Sequence, residues 1–191
     1  MLRAVARLTD PRQFDLRPRG AGRILDVGCG SKKRPGATGI DVSSDTDADV
    51  VHDLNQLPWP LESDAFDEIV LQDVIEHLHD LYGVFAEVHR VARPGARVQL
   101  RTPHFSSVLA YSDPTHVHLL SAAAVRSLAQ PGFAHYSSAR FRPVSVQLDL
   151  WAPFRLIGLE AVANRRTEIY ERYLAFRFPA MNIRAEFEAL K

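Results

Sequence analysis

Short apolar runs, separated by polar stretches, recur along the chain, and each has the length of a buried β-strand. These runs predict strands at 23–27, 39–42, 49–53, 66–71, 97–102, 143–150 and 183–190. The apolar spacing changes to that of a helix between Leu81 and Val91, with Arg93-Pro94-Gly95 predicted to end the helix. A second helix is predicted at 122–129, capped by Ser121 and stopped by Pro131-Gly132. One or two more helices are expected within 151–178.

Strands and helices therefore alternate, which favours a mainly parallel sheet with helices on both faces. In such sheets ligands bind beyond the carboxyl ends of the strands, near the point where the strand order reverses. The residues that come directly after each predicted strand are therefore the first candidates for a site.

A glycine turn follows the first strand, in the run Leu25-Asp26-Val27-Gly28-Cys29-Gly30. Glycine lacks a Cβ, so the backbone can turn sharply here and approach a ligand closely. Asp26 lies where the strand ends, and it can orient the turn or accept a hydrogen bond from a ligand amine. Gly-x-Gly alone is a weak signal, and its meaning depends on the residues at the ends of the neighbouring strands.

Acidic residues also follow the second and third strands. Asp41 is placed to accept hydrogen bonds from the two hydroxyls of a ribose, as in dinucleotide-binding folds. Asp53 can accept a hydrogen bond from an adenine amine while Leu54 packs on the ring. Each acid alone is as easily a turn residue or helix cap, but three acids at successive strand ends favour a nucleoside pocket.

The spacing of the turn favours a nucleoside without phosphates. Lys33 stands where the dinucleotide motif Gly-x-Gly-x-x-Gly requires its third glycine. Asp41 comes only eleven residues after Gly30, which leaves no room for the crossover helix that would hold a pyrophosphate. Residues 41–80 contain twelve Asp and Glu but no Lys or Arg. This acidic stretch is either a solvated surface or in part faces a cationic ligand. S-adenosylmethionine, a cationic nucleoside, fits the second interpretation and the short turn.

The motifs resemble those of class I S-adenosylmethionine-dependent methyltransferases, in particular the type 11 small-molecule group. The resemblance covers roughly residues 23–120 and is carried by the segments 25–30, 39–41, 53–60, 66–67, 72–78 and 91–96. It implies an α/β Rossmann-like three-layer sandwich with a mainly parallel seven-stranded sheet and an antiparallel last strand. The departure from the family is the short link after Gly30, which implies that the first crossover helix is shortened or missing.

The resemblance also implies the cofactor S-adenosyl-L-methionine and a set of residues that bind it. That set is Asp26, Gly28, Cys29, Gly30, Asp41, Val42, Asp53, Leu54, Gln72 and Asp73. Lys32 and Lys33 either reach the methionine carboxylate or remain solvated. We expect residues 1–22 to be an N-terminal extension, 23–191 the methyltransferase domain, and 151–178 a helical insertion or lid.

Catalytic candidates follow the fifth strand. His104 or His116 is placed to accept a proton from the acceptor, with Asp113 orienting one of them. Alternatively, Asp113-Pro114-Thr115-His116 is only a turn, and His77 is a further candidate that more often has a packing role. His116 and His118 share a face only in an extended chain, and we assign no metal. The aromatic residues of 151–178 form packed core, a dimer face, or a lid over an apolar acceptor in which Tyr111 takes part.

Composition limits the remaining possibilities. The 191-residue chain has a formal net charge of +0, so no overall field attracts nucleic acid or an acidic membrane. Cys29 is the single cysteine, which favours a reducing cytoplasm. No apolar run is long enough to span a membrane. We expect a monomer or homodimer that transfers methyl to O, N or C of a small molecule. The alternatives are a non-catalytic cofactor-binding protein acting through partners, and an RNA or protein methyltransferase.

Overall fold

A single seven-stranded sheet organises the computed structural model, which describes residues 22–129 and 139–191. The strands are β1 (Ile24–Val27), β2 (Thr38–Asp41), β3 (Val50–Val51), β4 (Phe66–Gln72), β5 (Ala92–Pro103), β6 (Phe141–Leu150) and β7 (Ala180–Ala189). All seven predicted strands are present, with ends that shift by a few residues. Most of the expected N-terminal extension (residues 1–21) and the expected helix stop at Pro131-Gly132 lie outside the described residues.

The strand order is β3-β2-β1-β4-β5-β7-β6, so the order reverses beside β1. Strands β1 to β5 pair in parallel, and β7 is antiparallel to both β5 and β6. The prediction of a mainly parallel sheet with an antiparallel last strand is confirmed. Since β1 and β4 are neighbours at the reversal, their carboxyl ends define the expected ligand edge.

The helices are short except for the first. They are α1 (Leu81–Val91), α2 (Val108–Ser112), α3 (Ala122–Ser127), α4 (Ala152–Leu156), α5 (Leu159–Arg165) and α6 (Thr167–Tyr173), with a 3-10 turn at Ile75–His77. None of the helices in the described ranges is long and apolar enough to cross a bilayer. Ser121 caps α3 as predicted, because its side chain accepts a hydrogen bond from the Ala124 amide.

Three predicted boundaries are wrong. Helix α1 ends at Val91, before Arg93-Pro94-Gly95 as predicted, but β5 begins at Ala92 and not at Arg97, so these three residues belong to the start of the strand. Helix α3 ends at Ser127, two residues before the predicted end. Residues 151–178 form three helices where we expected one or two, because Gly158, in the left-handed region, separates α4 from α5 and Arg166 separates α5 from α6.

Helix α1 packs its apolar side on the sheet and forms the centre of the core. Its Phe85 is fully buried and meets the rings of Phe141 (β6) and Phe187 (β7) at centroid distances of 5.8 and 6.2 Å. Asp80 caps the helix by accepting a hydrogen bond from the Gly83 amide. This packing holds the turn between β4 and α1 in place, and that turn contributes to the site.

The first three connections of the sheet contain no helix. Residues 28–37, 42–49 and 52–65 run as turns and irregular chain between the first four strands. This confirms the prediction that the first crossover helix is missing, and the same is true of the next two connections. The flank of the expected cofactor edge is therefore built from loops.

Candidate functional site

The glycine turn after β1 has the conformation that its sequence requires. Gly28 and Gly30 have φ values of +65° and +54°, in the left-handed region that favours glycine. A Cβ on Gly28 would lie 2.5 Å from Cγ2 of Val74, so the turn packs directly against the segment that follows β4. A Cβ on Gly30 would meet nothing within 4 Å, which leaves open space where a ligand can approach the backbone.

Asp26 holds the loop that replaces the missing helix. Its carboxylate is buried and accepts a hydrogen bond of 2.7 Å from the backbone amide of Arg34. Burial raises the pKa of Asp26, while the Arg34 amide opposes the shift. The Arg34 guanidinium in turn forms a buried ion pair of 2.8 Å with Glu68 on β4. Of the two roles considered for Asp26, orienting the loop is the one that these contacts support.

Close packing on β2 completes the loop. A Cβ on Gly39 would lie 2.6 Å from Cδ of Lys33 and 2.7 Å from Sγ of Cys29, so only glycine fits there. The Lys33 ammonium forms an ion pair of 2.8 Å with Asp49, and this pair holds the lysine side chain at the surface. Cys29 is buried, and burial together with the charges of Asp26 and Asp41 raises its pKa to about 11.

Asp41 joins the end of β2 to the glycine turn. One carboxylate oxygen accepts a hydrogen bond of 2.8 Å from the Gly30 amide, and the other accepts one of 3.1 Å from the Ser43 amide. A carboxylate has about four acceptor positions, so both oxygens can still accept hydrogen bonds from ribose hydroxyls. Val42 is exposed beside it.

Asp53 follows β3 at the same edge as Asp41. The backbone amide of His52, the residue before Asp53, donates a hydrogen bond to the Asp41 carbonyl oxygen. The Asp53 carboxylate accepts a hydrogen bond of 3.0 Å from the Asn55 amide, and this bond lowers the pKa of Asp53. Leu54 is buried in the core. Asp53 thus caps a local turn, and its acceptor capacity also leaves room for a ligand amine.

A cavity of about 320 Å³ lies between the turn and β4. It is lined by Asp26, Gly28, Cys29, Lys32, Arg34, Pro35, Val70 and Gln72. Four of the predicted cofactor residues therefore face one space. Lys32 lines this cavity, so of the two lysines it is the one that can reach a ligand carboxylate there. Asp73, the neighbour of Gln72, forms an ion pair with Arg101.

These features fit S-adenosylmethionine. The open space at Gly30 accepts a ligand close to the backbone, the adjoining cavity is small, and two carboxylates end the neighbouring strands. Asp41 would hold the ribose, Asp53 the adenine amine, and Lys32 the methionine carboxylate.

His104 is fully buried behind the edge of the sheet. Its Nδ1 is 2.8 Å from the Ser106 hydroxyl and its Nε2 is 3.2 Å from the Glu171 carboxylate. Glu171 also accepts a hydrogen bond from the Ala122 amide at the start of α3. Both ring nitrogens of His104 therefore have partners, and the ring links β5 to α3 and α6.

Asp113 orients a different histidine from the two that we expected. Its carboxylate accepts hydrogen bonds from the amide and the hydroxyl of Thr115, and these bonds lower the pKa of Asp113. The Thr115 hydroxyl lies 2.9 Å from Nδ1 of His77. His116 packs beside His77 with ring centroids 4.6 Å apart, and its Nδ1 is 3.1 Å from the Ala110 carbonyl oxygen.

Glu76 is a candidate site residue that the sequence reasoning missed. It is 2% exposed, and one carboxylate oxygen, Oε2, accepts a hydrogen bond from the Thr102 hydroxyl, whereas Oε1 has no hydrogen-bond partner among the described residues. Burial raises the pKa of Glu76 to about 7. The signal was present as an acid between apolar Ile75 and Leu78, immediately before His77.

Comparisons with known proteins identify a methyltransferase domain in this chain. Residues 25–100 match the model of the Methyltransf_11 family, described as a methyltransferase domain. No curated protein matches the chain.

Solved structures share the fold. An S-adenosylmethionine-dependent methyltransferase from Archaeoglobus fulgidus is 17% identical, with 98% of this chain and 90% of that chain covered and a TM-score of 0.62. One from Mesorhizobium loti is 17% identical, with coverages of 91% and 94% and a TM-score of 0.60. A Haloferax volcanii putative methyltransferase in complex with the Trm112 activator is 17% identical, with coverages of 89% and 83% and a TM-score of 0.56.

The sheet order is that of solved S-adenosylmethionine-dependent methyltransferases, and residues 25–100 match a methyltransferase domain. Together these findings support a class I, type 11-like methyltransferase, with the family match confined to residues 25–100. Its cofactor is accordingly S-adenosyl-L-methionine.

Proposed function

We propose that the enzyme methylates a small molecule with an apolar portion. The supporting observation is a second cavity, of about 310 Å³, lined by Val108, Trp151, Phe154, Pro179 and Met181. These residues follow β5 and β6 or precede and begin β7, so the cavity lies at the same carboxyl edge as the cofactor site. A concave apolar space of this size is typical of small-ligand sites. Trp151 and Phe154, at the start of the segment 151–178, then form one wall, as the residues of a lid would.

The bound cofactor supplies the methyl group as part of a sulfonium, and its transfer to an electron pair of the acceptor disperses charge. The residues of the chain bind and align the two reactants, which can supply most of the rate enhancement. A base is needed only where the acceptor must lose a proton, as a hydroxyl usually does.

We assign the acceptor-facing polar group to His77 and His116. His77 follows β4, and His116 lies in the loop after α2, which itself follows β5. Asp113 and Thr115 support His77 through a chain of hydrogen bonds. His104 is a positioning residue in this proposal, since its two nitrogens are already engaged. Replacing His104 with Asn is expected to disturb the contacts of β5 with α3 and α6. We expect a smaller effect on the transfer of a proton from the acceptor.

Turnover with a panel of acceptors tests the proposal, with release of S-adenosylhomocysteine as the readout. Trp151→Ala is expected to raise KM for the best apolar acceptor at least tenfold, with cofactor affinity unchanged. Leu156→Ala is the matched control, because Leu156 is 84% exposed on α4 and outside the cavity. Turnover only with RNA or protein would contradict the small-molecule assignment, and cofactor binding without any turnover would favour the non-catalytic alternative.

We further propose a cytoplasmic setting and a monomer or homodimer that binds neither nucleic acid nor membrane. The single cysteine, which is buried, and the balanced charge support this assignment. One structural neighbour is in complex with an activator protein. The oligomeric state can be measured by light scattering of the purified chain.

A further inference from the structure

Three electron-pair donors converge from two separate segments of the chain. Glu76 and His77 belong to the turn after β4, and His116 belongs to the loop after α2. One ligating atom from each of the three lies within 4.8 Å of the others. The loop is fixed against the turn, because the amide of Val117 donates a hydrogen bond of 2.8 Å to the Glu76 carbonyl oxygen.

The hydrogen bonds around the two histidines determine which nitrogen carries a lone pair. Nδ1 of His116 faces the Ala110 carbonyl, which can only accept, so Nδ1 carries the hydrogen and Nε2 is left with the lone pair. The Thr115 hydroxyl donates its one hydrogen to Asp113 at 2.6 Å. It must therefore accept from Nδ1 of His77 at 2.9 Å, which leaves Nε2 of His77 with a lone pair as well.

The third donor is an oxygen of a carboxylate. Oε1 of Glu76 is buried and has no hydrogen-bond partner among the described residues, while Oε2 is fixed by Thr102. Since one ligating atom of each residue lies within 4.8 Å of the others, side-chain rotation can bring the two imidazole lone pairs and this unpaired oxygen around one ion. A buried acceptor without a partner is costly, and a cation placed among the three removes that cost.

We propose that Glu76, His77 and His116 bind one divalent transition-metal ion, of which Zn²⁺ is the representative. Two imidazoles and a carboxylate suit zinc, iron, cobalt or nickel, whereas magnesium and calcium prefer oxygen ligands. Zn–N and Zn–O distances of about 2.1 Å place ligand atoms roughly 3.4 Å apart in a tetrahedron. The ligating atoms now lie within 4.8 Å of one another, and side-chain rotation can bring them to this shorter separation.

The surroundings match those of known metal ligands. A metal-binding histidine usually donates its second N–H to a carbonyl or a carboxylate, which fixes the ring. The Nδ1–H of His116 donates to the Ala110 carbonyl oxygen. The Nδ1–H of His77 donates to the Thr115 hydroxyl, which in turn donates to the Asp113 carboxylate. Three protein ligands leave a coordination position open, as in catalytic rather than structural sites. A bound ion would occupy the Nε2 lone pairs of His77 and His116, the two histidines proposed above to face the acceptor. The ion itself would then polarise an acceptor oxygen.

Titration of the dialysed protein with ZnCl₂, followed by calorimetry, tests this proposal without an acceptor or methyl donor. We expect one Zn²⁺ per chain and a rise in Tm. His116→Ala and Glu76→Gln are expected to weaken Zn²⁺ binding at least tenfold. Thr115→Val leaves every ligand in place and removes only the support of His77, and we expect a loss of about ten- to a hundredfold.

His79→Ala is the matched control, since it removes an exposed histidine two residues beyond His77 and outside the cluster. It is expected to bind Zn²⁺ like the wild type. The proposal is overturned if the wild type shows no saturable binding, or if His116→Ala and Thr115→Val bind as tightly as His79→Ala. Zn²⁺ binding by a protein that shows no turnover would contradict the proposed function and leave the metal site intact.

Discussion

Replacing Gly30 with alanine separates the stability of the glycine turn from its role in binding the cofactor. Gly30 has a φ of +54°, and forcing an L-residue into this region costs about 1–2 kcal/mol. The new Cβ meets no protein atom within 4 Å, so no further strain is added. The methyl group instead enters the open space beside the cavity, and we expect affinity for S-adenosylhomocysteine to fall at least about tenfold, or 1.4 kcal/mol.

Gly95→Ala is the matched control for this experiment. Gly95 has a φ of +77°, and its added Cβ also meets nothing within 4 Å. It lies near the start of β5, at the amino edge of the parallel strands and opposite to the cofactor edge. Both variants should therefore lose about 1–2 kcal/mol in urea unfolding, whereas only Gly30→Ala should lose affinity in calorimetry. Equal affinity of the two variants for S-adenosylhomocysteine would refute the placement of the cofactor at this turn.

Three further predictions concern the cofactor edge and the loop beside it. Asp41→Ala should weaken S-adenosylhomocysteine binding by about 1–3 kcal/mol, the scale for lost buried hydrogen bonds, and unchanged calorimetric affinity would contradict the ribose assignment. Glu68→Gln should lower the free energy of unfolding by about 3 kcal/mol, because it removes the charge that faces buried Arg34. The exposed Asp67–Arg93 pair is its control, and Asp67→Asn should cost less than about 1 kcal/mol. The pKa of Cys29 is raised to about 11, so little of this cysteine is thiolate at pH 8. It should therefore react with iodoacetamide roughly a hundredfold more slowly in the native state than in urea. Similar rates in the two states would show that the thiol is neither buried nor perturbed.

The sheet, and the edge of it at which the candidate ligand residues lie, could be predicted from the sequence because both depend on local patterns. Apolar runs such as 66–71 identify buried strands, and the spacing from Gly30 to Asp41 is too short for a helix. The acids after these strands then fall at one edge of any parallel sheet. The strand ends and the number of short helices in 151–178 depended on tertiary packing, so they were less accurate.

The partners of the polar side chains could not be predicted, because they join residues far apart in the chain. The Arg34–Glu68 pair that secures the loop spans 34 residues. His104 follows a strand as a catalytic residue would, yet its burial and its contact with Glu171 appear only in three dimensions. Likewise His77 and His116 are both visible in the sequence, but their approach depends on the fold of the intervening segment.

The position of β7 has a consequence for synthesis on the ribosome. Among the described strands, β6 pairs only with β7, and β7 also forms the link from β6 to β5. Since β7 is translated about 30 residues after β6, the earlier strand must wait roughly two to six seconds at ordinary translation rates for its partner. During that interval β5 and β6 have unpaired edges that can join another chain. A nascent chain arrested before Ala180 should therefore be the form of this enzyme most in need of chaperones.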